Sequence, residues 1–173
     1  MMLDAENGLE GQDMSILHLA LQRKKGVVLL VNKWDLVEKD THTLKEYKEF
    51  FENKLGTNQY IPILFISVHE KQRVHKAMEV IQEVYEERKK RISTSKLNQV
   101  MLKKIEERPP GMERGTEIKI KYITQLPTKT PAFAFFCNLP KALKPSYKRY
   151  LENQIRSTFG FKGVPISLVF KKK

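Results

Sequence analysis

Val-Val-Leu-Leu-Val at residues 27–31 leads directly into Asn-Lys-Trp-Asp at residues 32–35, and this junction decides the fold. A continuous apolar run rich in β-branched residues is typical of a strand that is covered on both faces, as in a parallel sheet. Ligands of open α/β sheets bind at the carboxyl ends of the strands, which is where the tetrapeptide lies. The stretch therefore predicts an α/β sheet with a binding loop after a buried strand.

The tetrapeptide has the chemistry of a guanine reader. An ionised Asp35 accepts hydrogen bonds from N1–H and the N2 amino group of guanine together, whereas adenine would leave this desolvated carboxylate unpaired. Asn32 can donate and accept, so it can hold the loop and the base edge. The stem of Lys33 can lie along the base face while its ammonium stays hydrated. Because so short a motif also occurs by chance, its position after the strand carries the interpretation.

The first half alternates helices and strands, which favours a parallel α/β sheet. The predicted strands are the end of a strand at 1–4, the strand 27–31 and a strand at 61–66. The first predicted helix is capped by Asp13, with Met14, Leu17 and Leu21 inward. Two more helices are predicted, at 43–55 with Tyr47, Phe50, Phe51 and Leu55 inward, and at 74–91 with Val74, Met78, Ile81 and Tyr85 on one stripe. The order is helix–strand–helix–strand–helix after the first strand.

The second half predicts a different arrangement, an α+β module in the order α-β-β-α-β. Its predicted elements are a helix capped by residues 93–95 and running to 107, a strand at 118–125 with one wet, basic face, a more apolar strand at 132–138, a helix at 145–159 and a strand at 164–170. Gly-Phe-Lys-Gly at residues 160–163 matches a nucleotide-clamping G-x-x-G. Since it joins a helix to a strand rather than two helices, we interpret it as a tight helix-ending turn.

Ser67 and Val68 form a second candidate for the guanine site. They follow the strand 61–66, and one crossover helix separates that strand from 27–31, so both loops are expected at the same edge of the sheet. A backbone N–H there can reach guanine O6, with the Ser67 hydroxyl bracing the turn. A single serine after a strand is more often an ordinary loop residue. The guanine-binding interpretation therefore depends on the expected proximity of the two loops.

The motifs that hold phosphates and magnesium are absent from this sequence. None of the glycines begins a G-x-x-x-x-G-K-[ST] loop, and no D-x-x-G motif is present. The four histidines have no metal-ligand spacing. We therefore predict no catalytic and no metal-binding residue in this chain, and expect the phosphate-binding part of the site to lie upstream of it.

Charge divides the chain into two parts. Residues 1–87 carry a net charge of −4 and residues 88–173 a net charge of +16. The basic half favours RNA or another polyanion as partner. Its basic residues include the run 88–91, Lys119, Lys121, Lys148, Arg149 and the run 171–173. For any single cluster, a solvated basic face is an equally good interpretation.

Several stretches together resemble the bacterial GTPase family Der (EngA). They are residues 3–13, 31–36, 65–67 and 72–74 in the first half, and 91–98, 147–156 and 159–166 in the second. The resemblance implies that residues 1–91 are the later part of the second GTPase domain, with a P-loop-NTPase-like partial sheet, and that 92–173 are the family's basic KH-like domain. The family usually has Ser-Ala where this chain has Ser67-Val68, and a backbone contact tolerates this difference.

The same resemblance implies the ligands and partners. The intact protein binds GTP or GDP and hydrolyses GTP, with Mg²⁺ held by the missing part, and acts in assembly of the large ribosomal subunit. Asn32, Lys33, Asp35, Ser67 and Val68 would hold the base. The implied partners are ribosomal RNA and the missing GTPase domains in cis. The alternative is a non-enzymatic RNA-binding or docking module with a vestigial nucleotide loop.

The remaining features place the chain inside a cell. Cys137 has no cysteine partner in the sequence and apolar neighbours, which predicts a buried, reduced thiol in a cytoplasmic protein. No stretch approaches the about 18 apolar residues that a membrane span needs. Because the strands that would pair with the open sheet edge are absent, we expect a partner chain, or a second copy of this one, to cover that edge.

Overall fold

A parallel sheet lies where the apolar run predicts one. The computed structural model describes residues 1–38 and 40–172. The chain divides into two units: unit 1 is Met1–Arg88 with Lys162–Pro165, and unit 2 is Lys89–Phe161 with the chain from Ile166 onward. In unit 1 the elements are β1 (Met2–Asp4), α1 (Gly11–Gln22), β2 (Leu29–Asn32), α2 (Thr43–Leu55), β3 (Ile63–Phe65) and α3 (Val74–Lys89).

The strand β2 is the centre of the unit 1 sheet. The order is β1-β2-β3, all parallel, and the register pairs Asp4 with Asn32 and Val31 with Phe65. Leu29 and Val31 are fully buried, as the apolar run predicts. The carboxyl ends of β1, β2 and β3 therefore lie side by side, and the loops that follow them form one edge.

Three local predictions for unit 1 are wrong. Asp13 does not cap α1; it lies in the first turn, and its carboxylate accepts a hydrogen bond from the Glu10 N–H at 3.1 Å. Phe50 is 44% exposed, since Phe51 and Leu55 take the inward positions of α2. On α3 the buried stripe is Ala77, Val80 and Val84. The predicted residues Met78, Ile81 and Tyr85 are exposed, because a second stripe with the same helical spacing lies one position away.

Unit 2 has the predicted α+β order with one addition. Its elements are α4 (Thr94–Glu107), β4 (Met112–Glu113), β5 (Thr116–Glu117), β6 (Ile120–Gln125), β7 (Ala132–Cys137), α5 (Pro145–Phe159) and β8 (Ser167–Lys172). The sheet order is β6-β7-β8, with β6 antiparallel and β8 parallel to β7. The short hairpin β4–β5 was not predicted, since two-residue strands leave no periodic signal. Cys137 is buried as predicted, and burial raises the pKa of its thiol.

A side chain of α4 covers the edge of β6. The Asn98 side-chain amide donates to Ile123 O at 2.7 Å, and Asn98 Oδ1 accepts from the Ile123 N–H at 2.9 Å. Further along, Gln125 Oε1 accepts from the Ile92 N–H at 2.8 Å. These bonds satisfy backbone groups that an edge strand otherwise presents to other chains.

Residues 160–165 end α5 and enter unit 1. Gly160 has a φ of 88° and its N–H donates to Arg156 O at 2.9 Å, which supports the interpretation of the G-x-x-G as a helix-ending turn. The Gly163 N–H donates to Tyr60 O at 2.7 Å, and Gly163 O accepts from the Val27 N–H at 2.8 Å. Val164 then packs with Val28, Val80 and Val84 in a small core of unit 1.

Within residues 1–38 and 40–172, no helix has the length and apolar character needed to cross a membrane.

Candidate nucleotide-binding site

The two predicted loops meet at the carboxyl ends of β2 and β3. The Val68 N–H donates to Asn32 Oδ1 at 3.0 Å, a contact between residues 36 positions apart in the sequence. Trp34 also donates its backbone N–H to Ile66 O at 3.0 Å, and the Ile66 N–H donates to Val31 O at 2.8 Å. Because parallel strands end at the same edge, the sequence could predict this juxtaposition, and the structure supplies the bond that fixes it.

Lys33 lies at the sharp turn after β2. Its φ is 62°, in the left-handed region that few residues with side chains adopt. Its ammonium lies 2.6 Å from Asp4 Oδ2, while its side chain stays 51% exposed. The predicted hydrated ammonium is therefore also ion-paired, and the pairing holds the lysine stem over the loop.

Asp4 joins the site from the end of β1. Its Oδ1 accepts from the Glu6 N–H at 3.0 Å, and its Oδ2 faces Lys33. The hydrogen bond from Lys33, and then that from the Glu6 backbone, lower the pKa of the Asp4 carboxyl below its ordinary value. The Asp4 carboxylate in turn raises the pKa of Lys33. Both groups are therefore charged at neutral pH.

Asp4 is the site residue that the sequence analysis missed. Its signal was its place at the end of a strand beside the strand of the tetrapeptide. That signal is weak, because acidic residues are common where strands end.

Trp34 anchors the tetrapeptide to the core. It is 3% exposed, and its ring lies with its centroid 4.5 Å from that of Phe65 and 5.0 Å from that of Tyr47. The adjacent Asp35 is partly exposed, with its Oδ1 atom buried. The aromatic anchor therefore fixes the backbone on one side of Asp35, and one of the two oxygens of the Asp35 carboxylate is buried.

Ser67 organises the second loop from inside. Its side chain is fully buried, and Oγ accepts from the Glu70 N–H at 2.9 Å. Its backbone exchanges hydrogen bonds with Gln72, at 3.2 and 2.8 Å. Val68, by contrast, is 50% exposed. The loop therefore has the braced turn that was predicted, with Ser67 as the brace and Val68 at the surface.

The assembled edge offers polar groups that can hold a base. The polar groups are the Asn32 amide, the Lys33 ammonium and the Asp35 carboxylate. Among the described residues, no group of three or more histidine, cysteine or carboxylate side chains lies close enough to hold a metal ion. The arrangement can recognise a planar ligand with adjacent donors, as guanine has.

Each half of the chain matches a known protein family. Residues 1–87 match the family of the elongation factor Tu GTP binding domain. Residues 91–171 match the KH-domain-like family found at the C-terminus of EngA bacterial GTPase enzymes. The predicted fold class, a partial GTPase sheet followed by a KH-like α+β unit, is thereby confirmed.

Relatives named GTPase Der are similar along the whole chain. The protein of Amoebophilus asiaticus is 55% identical over 172 residues, covering 99% of this chain and 40% of the relative. That of Cytophaga hutchinsonii is 53% identical over 172 residues, with the same coverage. A crystal structure of Era in complex with MgGDPNP and part of 16S ribosomal RNA aligns with a TM-score of 0.40 at 16% identity, over 99% of this chain and 63% of that one. The chain thus spans about 40% of the length of the curated relatives it matches.

Proposed function

Because the chain belongs to the elongation factor Tu GTP-binding-domain family and its second half matches the EngA KH-domain-like family, we propose that it is the C-terminal portion of a bacterial GTP-binding protein. We place it in the later part of the second GTPase domain and the KH-like domain, and assign the intact protein to assembly of the large ribosomal subunit in the cytoplasm. The similarity to proteins named GTPase Der supports this assignment.

The chain contributes guanine recognition. Asp35 accepts from N1–H and the N2 amino group of the base, Asn32 holds the loop and the base edge, and Lys33 covers a base face. Ser67 braces the second loop, and the backbone at Val68 completes the pocket. The observation that carries this proposal is the hydrogen bond from the Val68 N–H to Asn32 Oδ1, since it joins the two loops into one site.

Hydrolysis requires groups that this sequence lacks. Phosphoryl transfer depends on a phosphate-binding loop and on protein ligands that position Mg²⁺. The intact protein supplies them from its N-terminal part, and GTP or GDP with Mg²⁺ then occupies the completed site. This chain alone therefore binds GTP weakly and does not turn it over.

Two measurements test the guanine assignment. Titration calorimetry of this chain with GTP and GDP is expected to show no binding at micromolar concentrations. The upstream part of the Amoebophilus asiaticus relative, fused to this chain, is expected to restore GTP binding and turnover. In that fusion, Asp35→Asn should shift the preference from GTP to XTP, because the amide offers a donor to the second carbonyl of xanthine. An unchanged preference would contradict the role of Asp35.

The basic unit 2 binds ribosomal RNA. Its half of the sequence carries a net charge of +16, which is expected to give affinity for RNA that falls steeply with salt. This charge also supports the second candidate function, a non-enzymatic RNA-binding or docking module with a vestigial nucleotide loop. Turnover of GTP by the fusion excludes the second candidate, and RNA affinity without any turnover favours it.

The GTPase domains absent from this chain cover the open edge of the unit 1 sheet at β1. Among the described residues, β1 pairs only with β2. Beside it lies a groove of about 400 Å³ whose apolar lining includes Met1, Leu30, Ile81 and Tyr85. An open edge next to an apolar groove favours strand addition, by the missing segment in cis or by a second copy of this chain.

A further inference from the structure

The helices α4 and α5 pack against one face of the unit 2 sheet. Leu97 and Met101 of α4 and Leu151 and Ile155 of α5 pack with Ile123 and Phe135 in a single core. Side chains alternate between the faces of a strand, so Tyr122 and Phe136 point to the other face. We call this the outer face.

The outer face presents an aromatic row beside a lysine. The register places Tyr122 opposite Phe136 and Phe136 opposite Lys171, so the three side chains cross the sheet in one line. The rings of Tyr122 and Phe136 lie with centroids 5.7 Å apart at 47°. Tyr122 is 40% exposed, and Phe136 is partly exposed. In the next row, Thr124 is partly exposed, Ala134 is fully buried and Val169 is 37% exposed.

The charges around this row have one sign. The strands β6, β7 and β8 contain Lys121, Lys171 and Lys172 and no aspartate or glutamate. All three lysines are exposed. Within the described residues none of them forms an ion pair, whereas Lys119 just before β6 is paired with Glu117 at 3.0 Å. An acidic protein or a polyanion therefore meets no repulsion here.

The exposed aromatic rings favour single-stranded RNA over duplex RNA or an acidic protein as the partner of this face. Bases stack on aromatic side chains whatever their sequence, and lysines beside the rings neutralise the connecting phosphates. A duplex keeps its bases stacked inside and offers the rings nothing to stack on. An acidic protein segment would use the lysines and leave the aromatic row without a specific role.

We propose that the outer face of the β6-β7-β8 sheet binds single-stranded RNA, with bases stacked on Tyr122 and Phe136 and a phosphate at Lys171. This rests on the proposed RNA-binding function of unit 2 and gives it a surface and a substrate class.

Fluorescence anisotropy of the full chain with a labelled oligouridine of about ten nucleotides tests the proposal. Tyr122→Ala and Phe136→Ala are each expected to weaken binding about tenfold, because stacking on one ring is lost. Tyr122→Phe keeps the ring and should bind like the unmodified chain. Phe50→Ala, which removes an equally exposed ring from unit 1, is the matched control and should change nothing.

Salt dependence separates stacking from charge. Lys171→Ala should reduce the slope of log affinity against log salt by about 0.7, whereas Tyr122→Ala should leave the slope unchanged. A duplex of the same length should bind equally well to the unmodified chain and to Tyr122→Ala. Circular dichroism of each variant reports whether it is folded.

The outcomes distinguish this inference from the function on which it rests. If Tyr122→Ala and Phe136→Ala bind the single strand as well as the unmodified chain, the inference is overturned in favour of a protein occupant, while salt-sensitive RNA binding by unit 2 still stands. If Tyr122→Phe loses as much affinity as Tyr122→Ala, stacking is excluded as well. If the unmodified chain binds no RNA at any salt concentration, the RNA-binding function itself fails.

Discussion

At the scale of single residues, one ion pair links the loop after β2 to the end of the neighbouring strand β1. Lys33 is exposed and in an unfavourable backbone region, so its position depends on what its ammonium contacts. Asp4 supplies that contact, and its other carboxylate oxygen is held by the Glu6 N–H. Lys33 is therefore oriented by a residue outside the tetrapeptide.

Replacing Asp4 by Asn tests this link through pH. Asn can still accept from the Glu6 N–H, so the change removes mainly the charge. The pKa of Asp4 is lowered from 3.8, so its stabilisation is fully present above that pH and is lost as pH falls through the lower folded value. We expect Asp4→Asn to unfold more readily than the unmodified chain at pH 7 and equally at strongly acidic pH. Urea titrations followed by fluorescence of Trp34, the sole tryptophan, measure this. A difference that persists in strong acid would contradict the ion pair as its cause.

Gly163 occupies a position where a larger residue would be strained. Its φ is +67°, and an added Cβ would lie 2.5 Å from Val84 Cγ2 and 2.8 Å from Val27 O. Gly163→Ala is expected to cost about 3 kcal/mol in the free energy of unfolding of unit 1, from overpacking and backbone strain together. Gly56 has a φ of +55° and open space around it, so Gly56→Ala should cost only about 1 kcal/mol. Equal losses in urea unfolding would show that crowding at Gly163 is unimportant.

At the scale of elements, α4 protects the edge of the unit 2 sheet. Asn98 satisfies both backbone groups of Ile123, as a neighbouring strand would. The same residue also donates to Thr94 O at 2.7 Å in its own helix. One side chain therefore ties the helix to the strand and denies the edge to other chains.

Asn98→Ala is expected to lower the free energy of unfolding. The variant leaves the N–H and C=O of Ile123 without partners in a partly buried place, which is expected to cost about 2–3 kcal/mol in the free energy of unfolding. Gln99→Ala, one residue further in the same helix and exposed, is the control and should cost less than about 0.5 kcal/mol. Chemical denaturation followed by circular dichroism measures both. Similar losses in the two variants would mean that water replaces Asn98 at no cost.

At the scale of the whole molecule, the open side of unit 1 predicts association. Ile81 and Tyr85 are 41% and 50% exposed and line the groove beside β1. Sedimentation velocity of the chain is expected to show a concentration-dependent dimer. Replacing Ile81 and Tyr85 by Lys should shift it to monomer, because lysine charges would have to be desolvated in the interface. The control replaces Ile16 and Leu19, which are as exposed on α1, and should leave the dimer intact. A chain that stays monomeric at all concentrations would contradict this prediction.

The sequence predicted the order of elements well and the faces of helices poorly. The run 27–31 and the boundaries of α2 and α5 were predictable, because buried strands and Gly- or Pro-bounded helices leave strong local signals. The stripe of α3 was not, since Ala77, Val80 and Val84 compete with Val74, Met78 and Ile81 at the same period, and only the tertiary packing selects one. Asp4 was missed because its partner Lys33 is far away in the sequence. Nothing local showed that residues 162–165 belong to unit 1.

The placement of residues 162–165 sets the order in which the chain can be completed during synthesis. Translation proceeds from the N-terminus, and unit 1 has its first 88 residues long before Val164 is made. Until then Val28, Val80 and Val84 lack the side chain that packs with them. At elongation rates of about 5–20 residues per second, the wait is on the order of ten seconds. Unit 1, which holds the Asn-Lys-Trp-Asp loop, is therefore completed only after residues 89–161 of unit 2 have been synthesised.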